Sequence, residues 1–101
     1  MENVMDELKN FLDDKGRLKS FPAKRKRQLY ALFYLASKFE VNKHYTEKEV
    51  NDILNKWHTF EDWALLRRDL YDAGFFNRKS DCSEYRLEEN QPTLATLGLV
   101  E

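Results

Sequence analysis

The sequence predicts a mostly helical α+β domain that ends in a β-hairpin. Two observations support this prediction. Apolar residues recur at helical spacing in four separate segments between residues 3 and 73. After the last segment, the stretches FFNRK and EYRLE enclose the turn SDCS, which is typical of two short antiparallel strands. The length of 101 residues is that of one domain.

The first segment predicts an amphipathic N-terminal helix over residues 3–13, followed by a break at Gly16. The apolar positions at helical spacing in this helix are Met5, Leu8, Phe11 and Leu12. We assign residues 1–14 to this amphipathic helix, residues 15–89 to the main domain and residues 90–101 to a weakly patterned tail.

The second helix is predicted to begin near Pro22, because proline is favoured in the first turn of a helix. Apolar residues surround most of its circumference, which is typical of a central, buried helix. These residues are Leu29, Tyr30, Leu32, Phe33, Tyr34, Leu35, Ala36 and Phe39. The exposed line that remains is expected to contain Lys24, Arg27, Ala31 and Lys38.

The third and fourth helices follow the stretch HYT, which can form one short strand. Thr46 and Glu49 have the spacing of a capping box at the start of the third helix. Thr59 and Asp62 indicate the start of the fourth, and Gly74 suits the left-handed cap at its end. The predicted buried stripes are Val50, Ile53, Leu54 and Trp57 in the third helix and Trp63, Leu66, Leu70 and Ala73 in the fourth.

This order of elements is that of a winged helix with an extra N-terminal helix. The third and fourth helices form the helix-turn-helix, and the fourth takes the position of the recognition helix. The C-terminal hairpin takes the position of the wing. We therefore predict a winged-helix-like fold.

The charge is unevenly distributed, although the net charge is only -1. Residues 1–14 carry five acidic residues and one lysine, and residues 80–101 carry five acidic residues and one arginine. Between them, 15 basic residues stand against 8 acidic ones. A basic middle with acidic ends is compatible with a nucleic-acid surface but falls short of the strongly basic footprint typical of one.

No sequence pattern indicates an enzyme, a cofactor site or a metal site. His44, His58 and Cys82 are scattered and lack the spacing of zinc or catalytic motifs. The single cysteine cannot form an internal disulfide, which favours a reducing compartment. No apolar run approaches the roughly 18 residues of a membrane-spanning helix. We therefore predict a cytoplasmic protein with no catalytic residue, no cofactor and no metal.

The chain contains, in this order, the stretches FPAKRKRQ, YTEKEVNDIL, LLRRDLYDAGFFNR and SDCSEYR. Together they resemble an uncharacterised, winged-helix-like bacterial domain family of unknown function over residues 17–87. The resemblance implies a bacterial source and an occurrence alone or fused to helix-turn-helix regulators and acetyltransferase-like proteins. It implies a link to transcription but assigns no functional residue. The family usually has Asp-Gly-Ser at the wing turn, where this chain has Asp81-Cys82-Ser83.

The basic cluster, Lys24, Arg25, Lys26 and Arg27, is placed against the local electrostatics. Positive charge at a helix N-terminus opposes the helix dipole by about 0.3–1 kcal/mol per group. One hypothesis is that the cluster binds phosphates together with cations of the wing, and the structural alternative is that it pairs with the acidic N-terminal helix. Wing cations also protect a hairpin edge from pairing. The candidate nucleic-acid-binding residues are Lys24, Arg25, Lys26, Arg27, Arg68, Arg78 and Lys79.

The outward face of the fourth helix argues against ordinary groove recognition. With Arg68 as its one cation, this face is predicted to show Glu61, Asp62, Leu65, Asp69 and Asp72. Phosphates would repel such a face. Arg67 lies beside the apolar stripe, where we expect a partly buried structural ion pair or packing on an indole ring.

These observations predict a non-enzymatic module linked to bacterial transcription regulation. It would touch the DNA backbone weakly and non-specifically through the basic cluster and wing, or act on a regulator protein. The alternative is a protein-interaction or dimerisation module without nucleic-acid binding. A ligand-sensing hypothesis rests only on the aromatic residues Tyr30, Tyr34, Trp57 and Trp63, for which core packing is the competing explanation. We expect no membrane association and a monomer or weak homodimer that uses the N-terminal helix or the tail.

Overall fold

The computed structural model describes residues 2–81 and 83–99. Its elements follow the predicted order, so the α+β, winged-helix-like class is confirmed. The helices are α1 (Glu2–Leu8, continued by a 3-10 turn at Lys9–Phe11), α2 (Arg25–Ala36), α3 (Glu47–Trp57) and α4 (Trp63–Asp72). The hairpin consists of β1 (Phe76–Arg78) and β2 (Tyr85–Leu87).

Helix α2 is the central helix, as predicted, and it contacts both α1 and α4. Its buried residues are Tyr30, Ala31, Leu32, Tyr34, Leu35 and Ala36. Two details of the prediction were wrong. The helix begins at Arg25 rather than near Pro22, because Lys24 is still extended and the Gln28 side chain donates a hydrogen bond to the Pro22 carbonyl (2.8 Å). Ala31 is fully buried instead of exposed, since other elements pack around the helix.

The N-terminal helix α1 packs on α2 and buries its apolar face there. The buried stripe runs through Val4 and Leu8 to the partly buried Phe11, so the prediction that Met5 belongs to it was wrong: Met5 is 40% exposed. Positions 4, 8 and 11 share one helical face, which leaves Met5 at its margin. Within the chain, α2 therefore covers the side of α1 that contains Val4 and Leu8.

The two helices of the helix-turn-helix begin in different ways. The capping box of α3 is confirmed, with Thr46 and Glu49 each accepting the other's backbone N–H. The same hydrogen bond from the Thr46 N–H holds the pKa of Glu49 below its usual value. The capping pattern predicted for α4 is absent: the residue before the helix is Asp62, and the Thr59 N–H donates to the Leu18 carbonyl (3.0 Å). Instead, the ring of His58 accepts the N–H of Asp62 (3.0 Å).

The hairpin pairs in antiparallel register, with Phe76 opposite Leu87. The predicted HYT strand is reduced to a single bridge between Tyr45 and Tyr85. Gly74 has φ +92°, as expected for the left-handed cap after α4. The turn prediction at Cys82 lies outside the described residues. The C-terminal segment contacts the core through Leu94 and Leu97 and buries Leu99.

Candidate functional site

The basic cluster is divided between structural and exposed cations. Arg25 pairs with Asp69 of α4 (Nη1–Oδ2, 3.2 Å), and Arg27 pairs with Glu7 of α1 (Nε–Oε2, 3.5 Å). The arginine of each pair is about half exposed, so each pair contributes about 0–1 kcal/mol to stability. Lys24 and Lys26 are exposed and have no ion-pair partner within the part of the chain that the structure describes.

These pairs explain why cations are tolerated at the start of α2. Carboxylates of α1 and α4 approach the first turn and oppose the unfavourable interaction with the helix dipole. Pairing with the acidic N-terminal helix, the structural alternative, is found for Arg27. The cluster thus links the start of the central helix to the helices on either side.

The wing cations lie on the other flank of α4. The guanidinium carbon of Arg78 is 4.1 Å from the centre of the Tyr71 ring, and Lys79 pairs with Glu84 (Nζ–Oε2, 3.4 Å). Asp69, which holds Arg25, and Tyr71 are two positions apart and therefore about 200° apart around the helix. The structure therefore does not bring the basic cluster and Arg78 together into one anion-binding edge.

The outer face of α4 consists of Ala64, Leu65, Arg68 and Asp72, all exposed. Arg68 is paired loosely with Asp72 (Nε–Oδ2, 3.6 Å), and Leu65 is 40% exposed. Asp69, which was predicted to lie on the acidic outer face, instead pairs with Arg25. The predicted buried position of Trp63 was also wrong, because this first residue of the helix is 37% exposed. What remains outward is a nearly neutral face with an exposed apolar side chain.

Arg67 has the structural role, a partly buried ion pair, that the sequence predicted. Its side chain is 17% exposed, pairs with Glu47 at the start of α3 (Nη2–Oε1, 2.9 Å) and donates to the Asn51 side-chain oxygen. The interpretation as a partly buried ion pair is therefore confirmed. The contact joins the two helices of the helix-turn-helix.

A cleft that the sequence analysis missed lies between the start of α3, helix α4 and the hairpin. We call it the arginine cleft, because its walls include Arg67, Arg68 and Arg78. Two carboxylates, Glu47 and Asp72, and two aromatic rings, Tyr71 and Tyr85, also line it. Its volume is about 460 Å³, within the range of ligand-binding clefts.

The aromatic residues considered for ligand sensing belong mainly to the core. Tyr30 and Tyr34 are buried, and the Tyr34 hydroxyl donates to the Gly16 carbonyl. Burial, together with the nearby negative charge of Asp13, raises the pKa of Tyr34 above its usual value. Lys38 covers the rings of Tyr34 and Trp57, at 4.5 and 4.0 Å. These contacts favour core packing over a ligand site.

Residues 2–81 and 83–99 contain no cluster of three or more histidine, cysteine or acidic side chains placed to bind a metal ion. Over the same residues, no helix has the length and hydropathy required to cross a membrane.

Comparison with known proteins identifies the family of the chain. A family described as "Uncharacterized protein conserved in bacteria (DUF2087)" matches residues 17–87. No curated protein matches the chain, and no solved structure matches it. The match spans most of the chain, from the loop before α2 to the end of the hairpin. The chain therefore belongs to this uncharacterised bacterial family, as the resemblance predicted.

Proposed function

We propose that the chain is a non-enzymatic interaction module, linked to bacterial transcription regulation and located in the cytoplasm. In this proposal it binds another protein, such as a regulator, through the outer face of α4. The observation that supports it most is the composition of that face. The helix at the recognition position presents Leu65 and Ala64 beside one Arg68–Asp72 pair. The link to transcription is supported only by the winged-helix-like fold and is an argument by analogy.

The electrostatics of α4 favour a protein partner over a nucleic acid. Duplex DNA carries about one negative charge per 1.7 Å of axis, so a helix in its groove needs excess positive charge. Arg68 is balanced by Asp72, and the exposed Glu61 and Asp62 at the start of the helix add negative charge. A protein surface with an apolar centre and a basic rim would complement this face, since burial of apolar area stabilises association by about 25 cal/mol per Å².

Replacing Leu65 with Asp is expected to weaken partner binding at least tenfold. The substitution removes the exposed apolar side chain and places a charge where the partner must exclude water. The tagged full-length chain would be used to isolate the partner from an extract of the source bacterium. The affinity of the purified pair would then be measured by calorimetry. Sedimentation of the chain alone would show whether the partner is a second copy.

The control for this experiment is Val41→Asp. Val41 is 68% exposed and lies in the loop between α2 and α3, so it undergoes the same chemical change on another surface. Both variants should unfold within about 0.5 kcal/mol of wild type. An unchanged affinity for Leu65→Asp, an equal loss for Val41→Asp, or the absence of any specific partner would contradict the proposal.

A second candidate function, weak binding to the DNA backbone, is favoured by one observation. Lys24 and Lys26 are exposed, and among the described residues neither has an ion-pair partner. Replacing both with Glu should abolish a mobility shift on duplex DNA, for which a Kd of about 10⁻⁴–10⁻⁶ M is expected at physiological salt. The control, Lys48→Glu with Lys56→Glu, makes the same charge change on α3 and should retain binding. No shift by wild type at low salt would rule this function out.

A further inference from the structure

We propose that the outer face of α4 is self-complementary and that the chain forms a weak, two-fold symmetric dimer through it, centred on Leu65. The proposal rests on the proposed function and deepens it, because it names a second copy of the chain as the partner. Asp62, the exposed residue directly before the helix, would pair with Arg68 of the other copy.

The two charged side chains lie symmetrically around Leu65. Asp62 precedes Leu65 by three residues, and Arg68 follows it by three. In an α-helix they are therefore about 60° to either side of Leu65 and about 4.5 Å from it along the axis, in opposite directions. A two-fold axis can lie in the interface beside Leu65, at right angles to the line from Asp62 to Arg68. It would bring Asp62 of each copy to Arg68 of the other, which is the reciprocity of an isologous interface.

The chain makes no use of the Asp62 carboxylate. An aspartate at this position commonly caps the helix, yet the Asp62 side chain makes no capping hydrogen bond. Within residues 2–81 and 83–99 it has no ion-pair partner either. Its backbone is held in place, because the His58 ring accepts its N–H (3.0 Å) and its carbonyl accepts the N–H of Leu66 (3.3 Å). The carboxylate is thus exposed on a fixed backbone.

Arg68 can reach a second copy without breaking a close ion pair. Its side chain is 82% exposed, and its 3.6 Å contact with Asp72 is too long for a strong charge-assisted hydrogen bond. A guanidinium binds a carboxylate with paired N–H donors at shorter distances. Pairing with Asp62 of the other copy would therefore replace a loose contact with a closer one.

A second copy has both features that complement the outer face of α4. It brings Leu65, which is 40% exposed, to the apolar centre and Arg68 to the rim. The small, exposed side chain of Ala64 lets the two helices approach closely beside that centre. Contact between the two leucines removes apolar surface from water on both copies. Because the apolar centre is small, the dimer is expected to be weak.

The two other surfaces considered for a dimer are used within the chain. Helix α1 packs on α2 and buries Val4 and Leu8. The tail contacts the core through Leu94 and Leu97. Met5 of α1 is 40% exposed, the same fraction as Leu65, and therefore provides a matched control on a different surface.

The first test is sedimentation equilibrium of the full chain at low salt. We expect a monomer–dimer equilibrium with a Kd of about 0.1–1 mM, in the weak range of a small interface. Leu65→Asp should raise the Kd at least tenfold, because it places two like charges together at the two-fold axis. Met5→Asp makes a similar change on α1 and should leave the Kd unchanged. A chain that stays monomeric at about 1 mM, or equal losses for the two variants, would overturn the proposal.

Charge exchange tests the reciprocal pairs. Asp62→Lys and Arg68→Glu should each raise the Kd at least tenfold, since like charges then meet on both sides of the axis. An equimolar mixture of the two variants should regain the affinity of wild type, because each chain offers the charge that the other lacks. Lys48→Glu and Asp52→Lys, which alter an exposed ion pair on α3, should dimerise like wild type alone and mixed. A mixture that associates no better than its components, or equal losses for the α3 variants, would reject the reciprocal pairs.

The outcome can be separated from that of the proposed function. If the chain is monomeric and a different protein binds it in a manner that depends on Leu65, only the dimer is rejected. If the chain is monomeric and no partner depends on Leu65, the dimer and the proposed function both fail. A dimer that is insensitive to Leu65→Asp would use another surface and would also overturn the proposal.

Discussion

Replacing Phe76 with Ala is expected to lower the free energy of unfolding by about 3–5 kcal/mol. Phe76 is 2% exposed and lies in β1, where its ring meets Phe39 at 4.9 Å and Tyr85 at 6.1 Å in edge-on geometry. Truncation would leave a cavity and remove both aromatic contacts, which add about 0.5–1.5 kcal/mol per pair beyond burial. Denaturant unfolding monitored by circular dichroism measures the loss.

The Phe76 substitution also tests how the arginine cleft is supported. Phe76 anchors the strand that carries Arg78, and Tyr85 faces both the aromatic cluster and the cleft. A loss large enough to loosen the hairpin should therefore weaken the Arg78 contact with Tyr71. Val41→Ala is the control, because a 68% exposed side chain should cost less than about 0.5 kcal/mol. A cost for Phe76→Ala below about 1 kcal/mol would show that the hairpin is not anchored through this ring.

The sequence predicts the fold well where signals are local. The capping box at Thr46 and Glu49 depends on two side chains three residues apart, and the structure contains it. The left-handed cap at Gly74 depends on one residue. The start of α4 could not be predicted in this way. Thr59 has the right side chain, but its N–H donates to the Leu18 carbonyl, and the extended His58 before it pairs with the same residue. The helix therefore begins only after Asp62.

The candidate site was predicted only in part, for the same reason. Exposure of Leu65 and the ion pair of Arg67 follow from their positions around one helix. The arginine cleft depends on the packing of α3, α4 and the hairpin, which no local pattern encodes. The partners of the basic cluster are equally non-local, since Asp69 lies 44 residues from Arg25. Helical periodicity indicates which face is outward but not which neighbouring charge reaches it.

His58 performs the capping role that the sequence assigned to Thr59. The ring is 3% exposed and packs against Phe60, with ring centres 4.7 Å apart. Nε2 accepts the N–H of Asp62, so the proton of the neutral ring is on Nδ1, which donates to the Leu54 carbonyl. Backbone hydrogen bonds from Leu18 to Trp57 and from Thr59 to Leu18 hold this segment in place (2.8 and 3.0 Å). One side chain therefore joins the end of α3 to the start of α4, where Asp62 provides no side-chain cap of its own.

Replacing His58 with Leu should destabilise the protein by about 1–3 kcal/mol for each polar group that it leaves unpaired. The leucine keeps the apolar packing but leaves the Leu54 carbonyl and the Asp62 N–H without partners. Thermal unfolding measures the total loss, and hydrogen exchange of the Asp62 amide should accelerate more than that of amides in α2. The matched control is His44→Leu, because the other histidine is 58% exposed and its pair with Glu84 (2.9 Å) contributes about 0–1 kcal/mol. Equal losses for the two variants would mean that the two hydrogen bonds of His58 contribute no more to stability than the exposed His44–Glu84 pair. Unchanged protection of the Asp62 amide from hydrogen exchange would show that α4 begins without help from the His58 side chain. The angle between α3 and α4 would then depend only on the Arg67–Glu47 pair and on core packing.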